Sequence, residues 1–474
     1  PGYFGYRPFG SCFLIVMRFP FRRIVGGISR ERVDLFLAGE LKSDSGVHLR
    51  TSGQNYKKPA LSSALHPNRN APQLREAWPV ICVLGVTQII GYGSVFYSFS
   101  LLMEPLQLAL GASKSATVGA FSFALVIAGL CAPHVGSTID RIGGRGVMTL
   151  GSVVAGLLLA ALSRVESVVG LYVVYAGLGA TMAAILYEPA FAVLTGLFGA
   201  NARRAITTLT LFGGLASTVF WPLTQFLMAG FGWRETLVIL GALNLLLCAP
   251  LHWRFLPGRG RQHTVDRAQG GVASDSKSLK EVLREPAFYF LGGAFVANGL
   301  IFSALSVHML AMMQSKGITL AAAAVIGALV GPMQVAGRIL ELTAGQRFPI
   351  VRVGFVALGL LPVALLVFAM AGSHMGPLVA FALMYGLSNG VVTILRGAMP
   401  AQLFGRDHYG AVAGALAAPQ MFALAAGPVL VSLVWRASGD NYDRVLHVLA
   451  AVSAIGLCSF WVAMRAHRNR VRRS

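Results

Sequence analysis

Two opposite charges stand inside long apolar runs of this chain: Glu188, in Ile185-Leu186-Tyr187-Glu188, and Arg396, in Ile394-Leu395-Arg396. An ionisable group at membrane depth is costly, so each calls for a function and a partner. An arginine in such a setting attracts an anionic group. A carboxyl removed from water holds its proton, and a neighbouring arginine drives that proton off. The chemistry expected of this pair is anion binding at Arg396, with Glu188 as its partner in the empty site and as carrier of a coupling proton. The bland alternative is a static salt bridge that only holds helices together. At 3.6 residues per turn, Tyr385, Asn389, Thr393 and Arg396 fall on one helical face, and Thr181, Glu188 and Thr195 on another. Gln88, Tyr92, Tyr97, Asn298, His308, Gln334 and Gln420 are lesser candidates, because buried amides and phenols more often join helices than bind substrate. His308 and His134 are read first as structural.

The elements that would hold these groups follow from composition. Of 474 residues 55% are hydrophobic and 12% charged, and mean hydropathy is +0.66. Soluble domains carry roughly 25% charged residues. A bilayer is the solvent that suits such a chain, and each crossing needs about 20 apolar residues with its backbone paired internally. Apolar runs place spans near 77–103, 115–137, 147–164, 168–196, 205–230 and 234–253, then near 286–313, 319–341, 350–371, 376–403, 409–435 and 443–465. Pro222, Pro362 and Pro428 fall inside these runs, where neighbouring helices re-pair freed backbone groups. The fold class expected is an all-α membrane protein of twelve transmembrane helices in two pseudo-symmetric six-helix bundles. Its parts are a basic, disordered extension 1–75, a bundle 76–253, a linker 254–285, a second bundle 286–466 and a basic tail 467–474.

Net charge is +21, which in a soluble protein would point to nucleic acid. Here the basic residues lie between apolar runs and at the ends, where they set topology. One side of the membrane collects 20 Lys/Arg and the other six: Lys114, Arg164, Arg234, Lys316, Arg436 and Arg444. The richer side is expected to be cytoplasmic, with both termini there. No nucleic-acid partner is expected. The five cysteines, Cys12, Cys82, Cys131, Cys248 and Cys458, have no metal-site spacing and read as buried free thiols. No metal or cofactor is implied, and no secretory signal peptide is expected, since Arg18, Arg22 and Arg23 follow the short apolar stretch near Cys12.

The two halves echo each other. Leu74-Arg75-Glu76 returns as Leu283-Arg284-Glu285, and Leu197-Phe198-Gly199 as Leu403-Phe404-Gly405. Such repeats commonly flank a site at the membrane midplane. The connection after the second span reads Gly136-Ser137-Thr138-Ile139-Asp140-Arg141-Ile142-Gly143-Gly144-Arg145. It resembles the signature G-x-x-x-D-R-x-G-R-R of the major facilitator superfamily, with Gly144 in place of the first arginine of the closing pair. A degenerate copy, Gly337-Arg338-Ile339-Leu340-Glu341, follows the eighth span. The resemblance covers residues 74 to 466 and implies two bundles rocking about a central cavity. In physical terms Gly136 permits close helix contact and Asp140 can accept hydrogen bonds from a helix N-terminus. Arg141 and Arg145 sit where positive charge is favoured. A gating role is expected for these residues and for Gly337, Arg338 and Glu341.

Gly91-Tyr92-Gly93-Ser94-Val95-Phe96-Tyr97-Ser98-Phe99-Ser100 is similar to first helices of the monocarboxylate and oxalate/formate branch. Proton-coupled drug antiporters usually carry an arginine early in the fourth span, where this chain has Tyr175, and their glycine-proline motif is here dispersed over Gly213, Gly214 and Pro222. The function expected is secondary transport of a small solute, an organic anion or monocarboxylate first, with proton coupling. Efflux of drugs or toxic inorganic species is the alternative within the fold, and a non-transporting solute sensor the alternative outside it. No phosphate loop, nucleophile motif or metal cluster points to an enzyme or an ATP-driven pump.

Overall fold

The computed structural model describes residues 78–258 and 277–472, and the regular elements among them are all helical. The extension 1–75, Cys12, the first copy of the Leu-Arg-Glu word and the middle of the charged linker lie outside these residues. Eleven described stretches are long and apolar enough to cross a bilayer. One of them, Val168–Phe231, has 64 residues, about 96 Å of helix and roughly three times the hydrocarbon thickness. It reverses at a 3₁₀ turn, Gly199–Asn201, where Gly199 takes φ 49°, and so supplies two passes. The result is a multi-pass integral membrane protein of twelve spans, six on either side of the linker.

In the first half the elements are α1 (Trp78–Leu110), α2 (Lys114–Ile142), α3 (Gly144–Leu162), α4 (Val168–Ile185), α5 (Tyr187–Phe198), α6 (Ala202–Gly213), α7 (Ala216–Phe231) and α8 (Trp233–Phe255). Here α4 with α5, and α6 with α7, are single passes broken midway. A short helix α9 (Leu279–Val282) closes the linker. The second half holds α10 (Pro286–Gln314), α11 (Leu320–Thr343), α12 (Ile350–Met370), α13 (Met375–Phe404), α14 (Tyr409–Ala437) and α15 (Tyr442–Val471). Helix α9 opens on a capping box in which Glu281 accepts from the Ser278 N–H at 2.8 Å, a bond that holds this exposed carboxyl below its usual range.

The halves differ in regularity. In the first, π turns interrupt α1 at Tyr92–Tyr97 and α8 at Asn244–Cys248, and Asn244 Nδ2 donates to Ser94 Oγ at 2.8 Å to tie the two together. His252 of α8 lies 2.9 Å from Thr87 Oγ1 in α1 and 3.0 Å from Ser152 Oγ in α3, so one imidazole joins three helices. In the second half the passes run through, apart from a turn at Leu329. Ser388 Oγ donates to the Ala357 carbonyl and Ser459 Oγ to that of Phe290, both at 2.7 Å, fastening α13 to α12 and α15 to α10.

One expectation gains detail and one changes. Helix α15 continues to Val471 and carries the basic stretch from 467 as helix. It is held there by Glu285, which pairs with Arg470 and, at 2.8 Å, with Lys277. Of the four described cysteines only Cys248 is buried; Cys82 and Cys131 are half-buried and Cys458 is exposed. A spanning helix is apolar toward lipid as well as toward its neighbours, so an apolar run does not by itself mean burial in protein.

Candidate functional site

Glu188 is placed by the residue that follows it. Pro189 has no N–H to give, and its ring would strike the carbonyl four residues back, that of Ile185. The fourth pass therefore breaks at Leu186, which takes φ −85° and ψ −151°, and α5 starts afresh at Tyr187. The freed Ile185 carbonyl accepts from Gln88 Nε2 at 2.7 Å. Gln88, read as a lesser substrate candidate, thus mends a broken helix. Glu188 lies in the first turn of α5, where unpaired N–H groups and the helix dipole favour negative charge.

Arg396 comes from the unbroken α13. Its Nη2 donates to Glu188 Oε1 at 2.5 Å, an ion pair from one half of the molecule to the other. A cavity of about 20 Å³, lined by the pair and by Phe191, Phe295, Tyr409 and Gln420, adjoins it; that is room for about one water. Thr393 and Asn389 follow on the same face of α13, with Thr393 Oγ1 donating to the Asn389 carbonyl at 3.0 Å. Tyr385, at the far end of that stripe, is stacked on Phe381 at 5.6 Å within the apolar core of its own half. The stripe proposed for the fourth span is interrupted: Thr181 belongs to α4, donates to the Leu178 carbonyl at 2.8 Å, and is separated from Glu188 and Thr195 by the break. Tyr92 stands 4.7 Å from Tyr187, the residue beside Glu188. His308 is engaged on its own half, 3.1 Å from the Pro428 carbonyl, and His134 is 3.4 Å from the Leu130 carbonyl of its own helix.

The Arg-rich end is closed by contacts between the halves. Both oxygens of Asp140, at the end of α2, accept from the first turn of α14: Gly410 N and Ala411 N, each at 2.8 Å. This approach is possible because Gly136 faces Gly410, and a Cβ on Gly136 would run into the Gly410 carbonyl. On the other flank Arg203, at the start of α6, pairs with Glu341 of α11 at 2.7 Å and donates to the Phe348 and Gly345 carbonyls at 2.8 and 2.9 Å. Arg338, 4% exposed, donates from Nη1 to the Thr210 carbonyl at 3.0 Å. Thr210 lies in the last turn of α6, before the break at Gly214, so a cation meets the negative end of a helix. Gly337 sits against the Leu387 carbonyl of α13, within its own half. Arg145 Nε donates to the Leu256 carbonyl at 2.7 Å, and Arg141 is exposed. On this flank α6 packs on α11 and α13 of the other half as well as on α1, whereas its continuation α7 packs on α1 and α8.

Three residues of this arrangement escaped the sequence. By sequence Arg203 is one of the 20 basic residues that set topology, and nothing local links it to Glu341. Tyr409, whose hydroxyl donates to the Gly397 carbonyl at 2.6 Å, lies beside the pair. Pro189 did carry a signal, since a proline inside a span marks the carbonyl four residues earlier.

Comparison with known proteins bears on the same region. The family profile of the Major Facilitator Superfamily matches residues 83–428. An MFS-type efflux pump of Mycolicibacterium smegmatis is 25% identical over 457 residues, covering 86% of this chain and 96% of that protein. Monocarboxylate transporter 4 of Rattus norvegicus is 26% identical over 381 residues, 76% of this chain and 77% of that one. Among solved structures, the human organic anion transporter MFSD10 (TETRAN) superposes with a TM-score of 0.64 over 82% of this chain and 99% of its own, at 18% identity, a likeness of fold.

Proposed function

Since the chain belongs to the Major Facilitator Superfamily, a family of membrane transporters and not enzymes, we propose that it moves a small organic anion of the monocarboxylate class by alternating access, coupled to a proton. The observation that carries this reading is the 2.5 Å contact between Arg396 and Glu188 across the two halves, with the side chains still 20% and 14% exposed. Neither charge is sealed into a core, so each is open to exchange of partner. Protonation of Glu188 releases Arg396 to an incoming carboxylate, and departure of acid and proton restores the pair. The Arg-rich end, by its excess of Lys/Arg, faces the cytoplasm with both termini, in a plasma or inner membrane, and is the closed side here. The two bundles on either side of the linker are the rocking bodies.

The test is flux into proteoliposomes under an imposed pH gradient. Labelled lactate or pyruvate is expected to accumulate when the outside is acid, and Glu188→Gln to carry the acid without responding to the gradient. Flux of cationic drugs with none of any organic acid would replace this reading by efflux, the reading favoured by the mycobacterial relative. Binding without flux of any solute would make the protein a sensor.

A further inference from the structure

The last helix changes character along one exposed face. Helix α15 packs on α10 and α12. Ala454, Cys458, Trp461, Arg465, Arg468 and Arg472, spaced by alternate steps of four and three, are all exposed and share one side of it. The first three meet the acyl chains, as the outer side of a peripheral spanning helix must. The face then continues without a break into three arginines at the Arg-rich end, the depth of the headgroups.

The neighbouring helix adds a fourth. Phe460 meets Phe355 of α12 with ring centroids 5.0 Å apart, which sets the two helices, running in opposite directions, at a common level. Arg352, exposed, lies three residues before Phe355, and Arg465 five after Phe460. Both are displaced from that level toward the Arg-rich end, by about 4.5 and 7.5 Å. Packed helix axes stand about 8–10 Å apart, so two such long side chains can reach one group lying between them. Topology asks only for positive charge at this end and does not ask for a shared face. On the same helix Arg470 turns the other way and pairs with Glu285. Among the described residues no carboxylate forms an ion pair with Arg352, Arg465, Arg468 or Arg472. The Arg465 guanidinium instead lies 5.2 Å from the centre of the Trp461 ring, an indole and a cation together at the boundary.

We propose that the groove between α12 and α15 at the Arg-rich end is a binding site for an anionic phospholipid. Its phosphate lies between Arg352 and the Arg465–Arg468 pair, its acyl chains run along Trp461, Cys458 and Ala454, and Arg472 faces the outer part of the headgroup. Guanidinium forks match phosphate oxygens in pairs, which a zwitterionic headgroup already half-satisfies with its own ammonium. A basic side chain near an anionic lipid surface adds about fivefold in affinity, so two that act on one phosphate give a preference of about twentyfold. The assignment is independent of the cargo.

The probes are phosphatidylglycerol and phosphatidylcholine with the same acyl chains. The full chain is reconstituted in vesicles holding equal amounts of the two, extracted, and its retained lipid counted by native mass spectrometry. Phosphatidylglycerol is expected to be kept about twentyfold over phosphatidylcholine. Arg352→Gln with Arg465→Gln is expected to bring the two near parity. Arg204→Gln with Arg254→Gln removes the same charge from exposed positions of the first half and is expected to leave the preference as it was. Equal retention of the two lipids by the parent, or an equal loss of preference in both double variants, overturns the site and leaves only diffuse surface charge. A second measurement needs no variant: a photoactivatable phosphatidylglycerol is expected to mark peptides of α12 and α15 in the parent, and marking confined to the first half contradicts the assignment.

Discussion

The two flanks of the Arg-rich end occupy related positions in the two halves and close by different chemistry. At the end of the second pass, Asp140 accepts from two backbone N–H groups of α14, and the helices come within reach because glycine meets glycine. At the end of the eighth pass, Glu341 faces a helix start as well, but the contact is made by the Arg203 side chain, which also spans to two carbonyls beyond it. The glycine of the second copy has been turned to another use: Gly136 abuts the opposite half, Gly337 its own. One flank is thus closed by backbone against carboxylate at fixed distance, the other by a long side chain that tolerates some play.

The contrast can be broken at several points. Closure is read from the distance between spin labels at Ile142→Cys and Ile339→Cys, exposed positions in opposite halves, in a background without native cysteines. Gly136→Val forces α2 off α14 and is expected to lower the closed population most, by about a hundredfold, since overpacking of this kind costs about 3 kcal/mol. Gly337→Val is expected to leave the label distance as in the parent, because its clash lies within one half. Arg203→Ala leaves the nearly inaccessible Glu341 carboxylate without its cation, worth about 2 kcal/mol, or roughly thirtyfold. Asp140→Asn keeps one acceptor and the close approach, and its effect is smaller, about tenfold. Arg203→Lys preserves the charge and loses the fork to Gly345 and Phe348, for about threefold. A label distance that widens more in Arg203→Lys than in Asp140→Asn would reverse the assignment of the rigid and the tolerant flank.

The twelve passes were legible because burial of the backbone in a bilayer demands long apolar runs, which no other environment tolerates at this length. The pairing of Glu188 with Arg396 was foreseeable for a related reason: ionisable residues are few inside spans, and these two carry opposite charge. What could not be read is what depends on the path of the chain within a span. Thr181 was grouped with Glu188 on the assumption of one straight helix, and the break at Leu186 undid the grouping. The π turn at Tyr92–Tyr97 shifts the register of the first pass with no local sequence sign. Arg203 meets Glu341 across 138 positions, and a charge at a helix end carries no mark of which distant partner it will find. Arg338 was placed at a span end and proves to be buried against the break in the fifth pass, a break that is itself unannounced except by Gly213-Gly214.

The central claim is that Arg396 meets the substrate and does not serve only to hold Glu188. Exchanging the pair, Glu188→Arg together with Arg396→Glu, tests it most directly, because the ion pair is kept and its ends are reversed. The prediction is a protein that assembles in the membrane with the two halves closed as in the parent, binds no carboxylate and carries no organic acid. Full transport by the exchanged protein would contradict the account and reduce the pair to a structural bridge.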